Sequence, residues 1–379
     1  MQNHHPYRTI FSIILPIGLL LLLTFLLPGQ SITGSLRNKA VLEQENQTAE
    51  RQDSTLIKKH KGAHIFSVED TIDLELLRAY NLEWATMVSW AFQDDYDSPH
   101  LGHHSGDSLK MAAYDSSWVK RIQIARSAGY KVFFKPHLWI HEASEGKWRS
   151  DIFPASETDW EQWQAEYRSF IIRYAKVAER AGAELYCIGT EFTRLTTEKP
   201  EFWEALIQEV RGVYSGQITY AANWYGEFDK ITFWDQLDYV GVQAYFPLAK
   251  TPSPSVEEIS QGWEKHIRTM EAVQQRYDKK ILFTELGYRS ISRAAIKPWE
   301  WVENATDQDS LYSVETQARC YQAFFNTIWE KDWFAGVHIW QLRSDFAARK
   351  EEYDLDFTPQ GKPASAIIVK GFADKNGNE

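Results

Sequence analysis

We predict an α/β protein built as a (β/α)₈ TIM barrel, preceded by an N-terminal apolar segment and a polar linker. From Gly62 onward, short β-branched or aromatic runs alternate with longer amphipathic stretches, which is the pattern of buried parallel strands and surface helices. Eight short runs occur in series, and eight parallel strands form a closed barrel of this type. The first run is followed by Ser-Val-Glu-Asp rather than by a glycine-rich phosphate loop, which disfavours an open doubly wound sheet.

The predicted strands are apolar over most of their length, as expected where both faces of a parallel sheet are covered. No internal repeat is evident, and the even spread of the strands favours one barrel domain over several domains. The strands span Ala63–Phe66, Trp84–Val88, Lys131–Lys135, Glu184–Gly189, Gln217–Ala222, Tyr239–Ala244, Ile281–Thr284 and Gly336–Trp340.

Stretches with helical periodicity separate most of these strands. Two of the stretches end at Gly129 and Gly182, and glycine is a frequent helix terminator. The segment between the fifth and sixth strands is short, so we expect only a weak helix there, near Phe233. The predicted helices span Val68–Tyr80, Ser117–Ala128, Thr158–Ala181, Glu201–Tyr214, Val256–Tyr277 and Val314–Lys331.

The N-terminal part predicts export from the cytoplasm. Residues 1–29 hold Arg8, then an apolar run from Ile10 to Leu27, then Pro28-Gly29, which is the order of a secretory signal peptide. The run is also long enough to span a bilayer, and no small-x-small cleavage site stands out. A cleaved signal peptide and a membrane anchor therefore both stay open, with the rest of the chain periplasmic, extracellular or tethered. Residues 30–61 predict a polar linker, and residues 62–379 the barrel.

Composition narrows the class of partner. The formal net charge is −11, and the calculated pI is about 5.6, so a nucleic-acid partner is disfavoured by repulsion. A neutral polysaccharide or oligosaccharide meets no such repulsion. The 16 Trp, 18 Tyr and 20 Phe residues fit either a large core or sugar binding, because sugar faces stack on aromatic rings. The composition does not indicate an oligomeric state.

No metal site and no cofactor are predicted. His103-His104 follow the acidic residues Asp94, Asp95 and Asp97, but the spacing is not that of a zinc site, and a surface loop is expected. The two cysteines, Cys187 and Cys320, are too few for a disulfide framework. We expect buried free thiols, with a single bridge as the alternative.

Two glutamates are the candidate catalytic residues. Glu191 follows the fourth predicted strand and Glu285 follows Thr284 at the end of the seventh. Active sites of such barrels lie at the carboxyl ends of the strands, and the fourth and seventh strands lie on opposite sides of the mouth. A lone buried glutamate is often a structural ion-pair partner, but a facing pair suits glycoside hydrolysis. One carboxyl protonates the leaving oxygen and the other attacks the anomeric carbon.

Other polar and aromatic residues at the strand ends are candidates for binding a sugar. Aromatic rings offer a flat apolar face, whereas amide, imidazole and phenol groups hydrogen-bond to hydroxyls. Each residue also has a structural interpretation, as part of the core or of a turn. The substrate-binding candidates are Trp90, His137, Trp139, Asn223, Tyr245 and Trp340.

The segments around both glutamates resemble a known family. Residues 186–192 (Tyr-Cys-Ile-Gly-Thr-Glu-Phe) and 281–290 (Ile-Leu-Phe-Thr-Glu-Leu-Gly-Tyr-Arg-Ser) resemble glycoside hydrolase family 113 of clan A. The start at Lys61-Gly62 and the stretch from Trp84 to Gln93 are also similar, so the resemblance covers about residues 61–345. It implies a retaining endo-β-1,4-mannanase or a related mannosidase, with Glu191 as acid/base and Glu285 as nucleophile.

One position departs from the clan. Many clan members carry asparagine directly before the acid/base, where its amide contacts the sugar 2-hydroxyl, and here that residue is Thr190. Because mannose has an axial 2-hydroxyl, a different partner is not surprising. A glucan or xylan substrate stays open beside β-mannan. A non-catalytic glycan-binding barrel and an anchored scaffold protein are the other hypotheses. The paired glutamates disfavour the first, and the aromatic strand ends disfavour the second.

Overall fold

A computed structural model describes residues 58–66, 68, 74–102, 108–300, 311–348 and 355–373. Lys58–Glu379 forms one compact unit. The predicted apolar run from Ile10 to Leu27, nearly all of the predicted linker and the pair His103-His104 lie outside the described residues. Within the described ranges, no helix combines the length and apolar character needed to cross a membrane.

Eight parallel strands close into a barrel, which confirms the predicted fold class. Each strand pairs with its neighbour in the chain, and the first strand pairs with the last, so the barrel has no open edge. We number the barrel strands in chain order: β1 (His60–Phe66), β2 (Trp84–Met87), β3 (Lys131–Phe134), β4 (Leu185–Thr190), β5 (Gln217–Asn223), β6 (Tyr239–Gln243), β7 (Ile281–Leu286) and β8 (Phe334–Arg343).

Side chains alternate between two cores along the strands. On β4, Tyr186 and Ile188 pack in the core shared with the helices, whereas Leu185 and Cys187 belong to a second, smaller core. Because successive residues of a strand face opposite sides, this second core fills the barrel interior. Cys187 is a buried free thiol, as is Cys320 in the outer core, so the expectation of free thiols is confirmed.

The barrel interior also holds polar groups, mainly histidines. The His60 and His338 rings lie 3.2 Å apart, Nδ1 to Nε2, and the Thr86 hydroxyl lies 2.6 Å from His338 Nδ1. Burial, with the charge of Lys131 nearby, lowers the pKa of His60 to about 3. Gly62 faces this cluster, where a Cβ would collide with the His338 ring. The cluster is therefore uncharged at neutral pH.

Eight helices have described bounds, and most lie where periodicity predicts them. Two long helices begin directly after Ser156 and Ser255. Each serine side chain accepts a hydrogen bond from the backbone N–H three residues later, as N-cap residues do. The short helix expected near Phe233 is the 3₁₀ turn Trp234–Gln236. The helices are α1 (Glu75–Ala79), α2 (Ser108–Ser127), α3 (Glu157–Ala181), α4 (Thr193–Glu198), α5 (Pro200–Arg211), α6 (Val256–Tyr277), α7 (Val314–Thr327) and α8 (Pro363–Phe372).

The larger differences from the predicted helices concern α2, α4 and α8, and the short helix α4 was not predicted. Helix α2 begins at Ser108, nine residues before the predicted start at Ser117, because its first turns carry an exposed face with no apolar period. Helix α8 was not predicted. It packs beside α7 through Phe372, which contacts Phe325, so the chain continues past the last strand to cover the outside of the barrel.

A small sheet at the mouth of the barrel was also not predicted. It joins Leu101–Gly102, Trp90–Gln93 and His137–Ile140, in a stretch where we expected loops. Pro136 interrupts the strand pattern after β3, since proline cannot donate a ladder hydrogen bond. The His137 N–H nonetheless donates to Ser89 O at 2.8 Å. This rim sheet therefore extends the line of β2 and β3 beyond the barrel.

Candidate active site

A cavity of about 450 Å³ opens at the carboxyl ends of the barrel strands. All eight residues proposed from the sequence line it, although they are spread over 250 positions of the chain. Seven further residues line the same cavity, and most are aromatic. These are Trp148, Arg149, Trp224, Tyr225, Gln243, Trp299 and Phe357.

Glu285 lies on β7 and is held at both carboxylate oxygens. The Lys135 ammonium lies 2.6 Å from Oε1, and the Tyr245 hydroxyl donates to Oε2 at 2.7 Å. Lys135 is the residue directly after β3, and its side chain is fully buried. It reaches Glu285 across the barrel interior. The carboxylate is thus oriented by a cation on one side and by a phenol on the other.

The charge state of Glu285 follows from these neighbours. Burial by itself raises the pKa of Glu285, but the Lys135 ammonium, together with His64 and Gln243, more than offsets this effect and the pKa falls to about 2. Burial and the Glu285 charge raise the pKa of Tyr245 well above its usual range. Tyr245 therefore keeps its proton and donates it in the hydrogen bond, while Glu285 is ionised at neutral pH.

Glu191 lies directly after β4 in a different backbone conformation. Its φ is 58°, a left-handed value that costs a side-chain-bearing residue about 1–2 kcal/mol. The backbone N–H donates to Ala221 O on β5 at 3.0 Å, and Arg149 Nη2 donates to the carboxylate Oε2 at 2.8 Å. The described contacts therefore fix Oε2, and the strained backbone turns the side chain toward the cavity.

Arg149 was missed by sequence reasoning. It begins the 3₁₀ turn Arg149–Asp151 in a connection with no periodic pattern, and only the fold brings it to Glu191. Its guanidinium lies 5.1 Å from the Trp148 ring centroid and 5.9 Å from that of Trp139, within the range of cation–π attraction. The two indoles thus hold the cation beside the carboxylate.

A second residue that sequence reasoning missed is Glu227, whose carboxyl lies behind the mouth of the barrel. The Tyr220 hydroxyl donates to its Oε1 at 2.6 Å, and the Asn223 N–H donates to its Oε2 at 2.6 Å. The same Tyr220 oxygen accepts the N–H of Phe192, the residue after Glu191, at 2.7 Å. Burial raises the pKa of Glu227 to about 7 despite these hydrogen bonds. Glu227 therefore ties together the ends of β4 and β5.

The predicted ligand Asn223 has a structural contact as well as a cavity-lining position. Its Oδ1 accepts the Tyr225 N–H at 3.1 Å, which is a turn-forming contact of the kind typical of asparagine. Thr190 is buried and is not among the residues that line the cavity. The chain therefore has no side chain at the cavity from the position where many clan members carry asparagine.

Aromatic rings form two groups around the cavity. Trp90 and Trp139 lie edge to face with ring centroids 5.8 Å apart. Trp224 and Trp299 are stacked at 5.1 Å, and Tyr225 beside them is 71% exposed. Sugar rings pack against such faces, so each group offers a flat apolar surface with one side open.

Trp340 lies within β8, three residues before its end, and lines the same cavity. Its ring meets the ring of His64 edge to face at 4.8 Å and that of Phe66 at 5.5 Å. The peptide bond from Trp340 to Gln341 is cis. Gly287 permits this packing, because a Cβ at that position would collide with the Trp340 carbonyl.

The arrangement defines a class of enzyme. Two carboxyl groups converge on one apolar cavity at the mouth of a closed barrel, one of them ionised and fixed, and aromatic rings surround them. This combination is typical of barrel glycosidases. In the described ranges, no group of three or more His, Cys, Asp or Glu side chains is arranged to hold a metal ion.

Comparison with known families identifies the family to which this chain belongs. The model of Glycoside Hydrolase Family 113 matches residues 60–362, so the chain belongs to this family and is a glycoside hydrolase. Comparison with curated protein sequences gives no match.

Solved structures of the family share the fold. Two β-1,4-mannanases are 25% and 26% identical to this chain, and each comparison covers 83% of this chain and 99% of the other, with a TM-score of 0.69. The β-mannanase AaManA from Alicyclobacillus acidocaldarius, in complex with ManMIm, is 24% identical over 83% of this chain and 97% of its own, also with a TM-score of 0.69.

Proposed function

We propose that this protein is a retaining β-glycosidase that cleaves β-1,4-mannan or mannooligosaccharides by double displacement. The observation that carries the proposal is the pair Glu191 and Glu285 on one cavity, in contrasting surroundings. Glu285 is ionised and held by Lys135 and Tyr245, as a nucleophile needs. Glu191 lies across the mouth with Oε2 bound to Arg149.

In the first step Glu285 attacks the anomeric carbon. A Glu285 oxygen forms a bond to C1 as the bond from C1 to the leaving oxygen breaks. Glu191 gives its proton to that leaving oxygen, so the shortened glycan departs as a neutral alcohol. The products of this step are a glycosyl ester on Glu285 and a carboxylate on Glu191.

In the second step water replaces Glu285. The Glu191 carboxylate takes a proton from a water molecule whose oxygen attacks C1 from the side that the leaving group vacated. The ester bond breaks, Glu285 regains its negative charge beside Lys135, and the sugar keeps its original β configuration. Two inversions therefore give net retention.

One observation supports mannan as the substrate, and a second supports a substrate of several sugar units. The family neighbours with at least 25% identity are described as β-1,4-mannanases. The cavity carries aromatic pairs such as Trp90–Trp139 and Trp224–Trp299, which suit a chain of several sugar rings. Binding of a chain across the two glutamates would produce internal cleavage.

The test uses purified protein on mannan, glucomannan, cellulose and xylan, with Glu285→Ala and Glu191→Gln as variants. We expect wild-type cleavage of mannan and a loss of at least about 10³-fold in both variants, since each removes a reacting group. The anomeric form of the first product, followed by NMR, should be β. A first product of α form contradicts the retaining mechanism, and equal activity of Glu285→Ala contradicts the nucleophile. Binding of mannan without cleavage indicates a glycan-binding protein.

We also propose that the protein is exported, with the run from Ile10 to Leu27 as signal peptide or anchor. Its length and the preceding Arg8 support this proposal. Cell fractionation tests export, and N-terminal sequencing of the mature protein distinguishes a cleaved signal peptide from an anchor. Full-length protein in the cytoplasmic fraction contradicts the proposal.

A further inference from the structure

Two buried hydrogen-bond donors face the cavity without a partner. Gln243 and His137 both line the cavity and are 1% and 2% exposed. In the described part of the chain, Nε2 of each has no partner within strict hydrogen-bond geometry, although the Gln243 amide is near enough to Glu285 to lower the pKa of that carboxyl. A buried donor left unpaired costs about 1–3 kcal/mol, so such a group in a native structure needs an explanation, and a bound ligand supplies one.

The orientation of the Gln243 amide is determined by its neighbours. Lys135 Nζ and Thr284 Oγ1 both lie 2.9 Å from Gln243 Oε1. A lysine ammonium has only donors to offer, so the amide oxygen must face Lys135. Nε2 and its two hydrogens therefore form the free end of the side chain.

The tautomer of His137 is determined in the same way. Arg149 Nη1 lies 3.4 Å from His137 Nδ1, and because arginine only donates, Nδ1 must be the acceptor. Burial, together with the charges of Lys135 and Arg149, lowers the pKa of His137 well below its usual range. The neutral ring therefore carries its proton on Nε2.

Both donors lie beside the nucleophile. His137 Nε2 is 3.9 Å from Glu285 Oε1, too far for a hydrogen bond. Lys135 Nζ donates both to that Oε1 atom and to Gln243 Oε1, so a single ammonium group bridges the Gln243 amide and the Glu285 carboxylate. When a sugar carbon lies close enough for Glu285 to attack it, the hydroxyl on the neighbouring carbon comes near these two donors.

We propose that Gln243 and His137 bind the 2-hydroxyl of the sugar whose anomeric carbon Glu285 attacks. This inference rests on the proposed function, because it assumes that Glu285 reaches C1. The 2-hydroxyl is the hydroxyl next to C1, and its hydrogen bonds strengthen in the transition state of such enzymes. Thr190 does not line the cavity, so the two donors supply a contact that its side chain does not.

The experiment combines three kinds of variant with two substrates. Gln243→Glu keeps an acceptor for Lys135 and Thr284 but loses the donor, and Gln243→Met loses the donor without adding charge. His137→Asn is too short to place a donor at Nε2, whereas His137→Gln can. The substrates are an aryl β-mannoside and its 2-deoxy analogue, or the corresponding pair for whichever β-glycoside the wild type cleaves.

We expect Gln243→Glu, Gln243→Met and His137→Asn to lower kcat/KM on the parent substrate about 10–100-fold. On the 2-deoxy substrate the loss should be less than about threefold, because the group that they bind is absent. His137→Gln should recover most of the activity. Equal losses on both substrates overturn the inference and leave the proposed function intact. A wild type that cleaves no β-glycoside overturns both.

Discussion

Glu285 lies within barrel strand β7, whose pairing with β6 shifts register beside it. Glu191 lies one residue beyond β4, and its own φ is 58°. Glu285 takes its cation, Lys135, from another barrel strand's end, and that ion pair is buried. Glu191 takes its cation, Arg149, from a connection outside the barrel. Glu285 is therefore held by residues of the barrel itself, whereas Glu191 is held by a residue of the rim.

The difference corresponds to what each step demands. A nucleophile must stay ionised and aimed at one carbon, which the Lys135 ion pair and Tyr245 enforce. An acid/base must exchange protons with a departing oxygen and then with water, so it needs access to the cavity. The two surroundings therefore make distinct predictions.

Lys135→Met should affect Glu285 most. Without the cation, the largest influence that lowers the pKa of Glu285 is gone, and burial raises this pKa above the present value of about 2. The acid limb of kcat/KM should move to higher pH, because activity is lost as the pH falls through the pKa of the nucleophile. We expect a loss of about 10²–10³-fold at neutral pH, as for breaking a buried pair. The pH–rate profile is the measurement, with exposed Lys131→Met as control. An unmoved limb contradicts this account.

Arg149→Met should act mainly through Glu191, because the Arg149 contact to that carboxylate is 2.8 Å, whereas its contact to His137 Nδ1 is 3.4 Å. We expect kcat/KM to fall about 10–100-fold on an alkyl β-glycoside, where the leaving oxygen needs a proton. A dinitrophenyl glycoside needs no such proton, so its kcat/KM should change less than about threefold. Lys135→Met should lower both substrates alike. A loss in Arg149→Met that is independent of the leaving group would erase the distinction between the two sites.

Tyr245→Phe removes one hydrogen bond from Glu285 Oε2. A hydrogen bond to a charged group contributes at least about 1.5 kcal/mol. Because Lys135 still holds Oε1, we expect this lower value, so kcat/KM should fall roughly 10-fold and equally for both leaving groups. Tyr288→Phe is a matched control, because the buried Tyr288 hydroxyl has no hydrogen-bond partner among the described residues. Parallel losses in the two variants would indicate a packing effect instead.

Glu227→Gln tests the role of Glu227 behind Glu191 through the pH dependence of the free energy of unfolding. The pKa of Glu227 is about 7 in the folded protein, against 4.5 for the free group, so the folded state binds the extra proton between these values. Unfolding free energy should therefore fall as the pH rises from 4.5 to 7, by roughly 3 kcal/mol. Urea unfolding across this range should show that this decrease is missing in Glu227→Gln. Identical pH dependence in both proteins contradicts the assignment.

Local periodicity explains why the barrel was predictable. Buried parallel strands are apolar runs whatever their partners, so all eight appear in the sequence before the barrel closes. The rim strand His137–Ile140 was missed because Pro136 breaks the run, although backbone pairing with Trp90–Gln93 continues beyond it. Helix α8 has only ten residues, most of them small or apolar, so its pattern alone does not distinguish a helix from a strand, and its place depends on α7.

The site was predictable where strand ends identify it. Glu191, Glu285 and the aromatic candidates follow apolar runs, so their convergence follows from the fold class. Arg149 and Glu227 lie in connections, where residue type does not reveal which element they will contact. Gln243 ends a strand, but the value of its amide appears only once Lys135 and Thr284 are seen to occupy its oxygen.

Local strand patterns were enough to give the order of the eight strands and to place two glutamates at the same end of the barrel, because all parallel strands point one way. The partners of those glutamates depend on how the chain packs in three dimensions. Lys135 reaches Glu285 from 150 residues away, and Arg149 reaches Glu191 from 42. Electrostatic roles depend on these distances in space, which exist only after the barrel has closed.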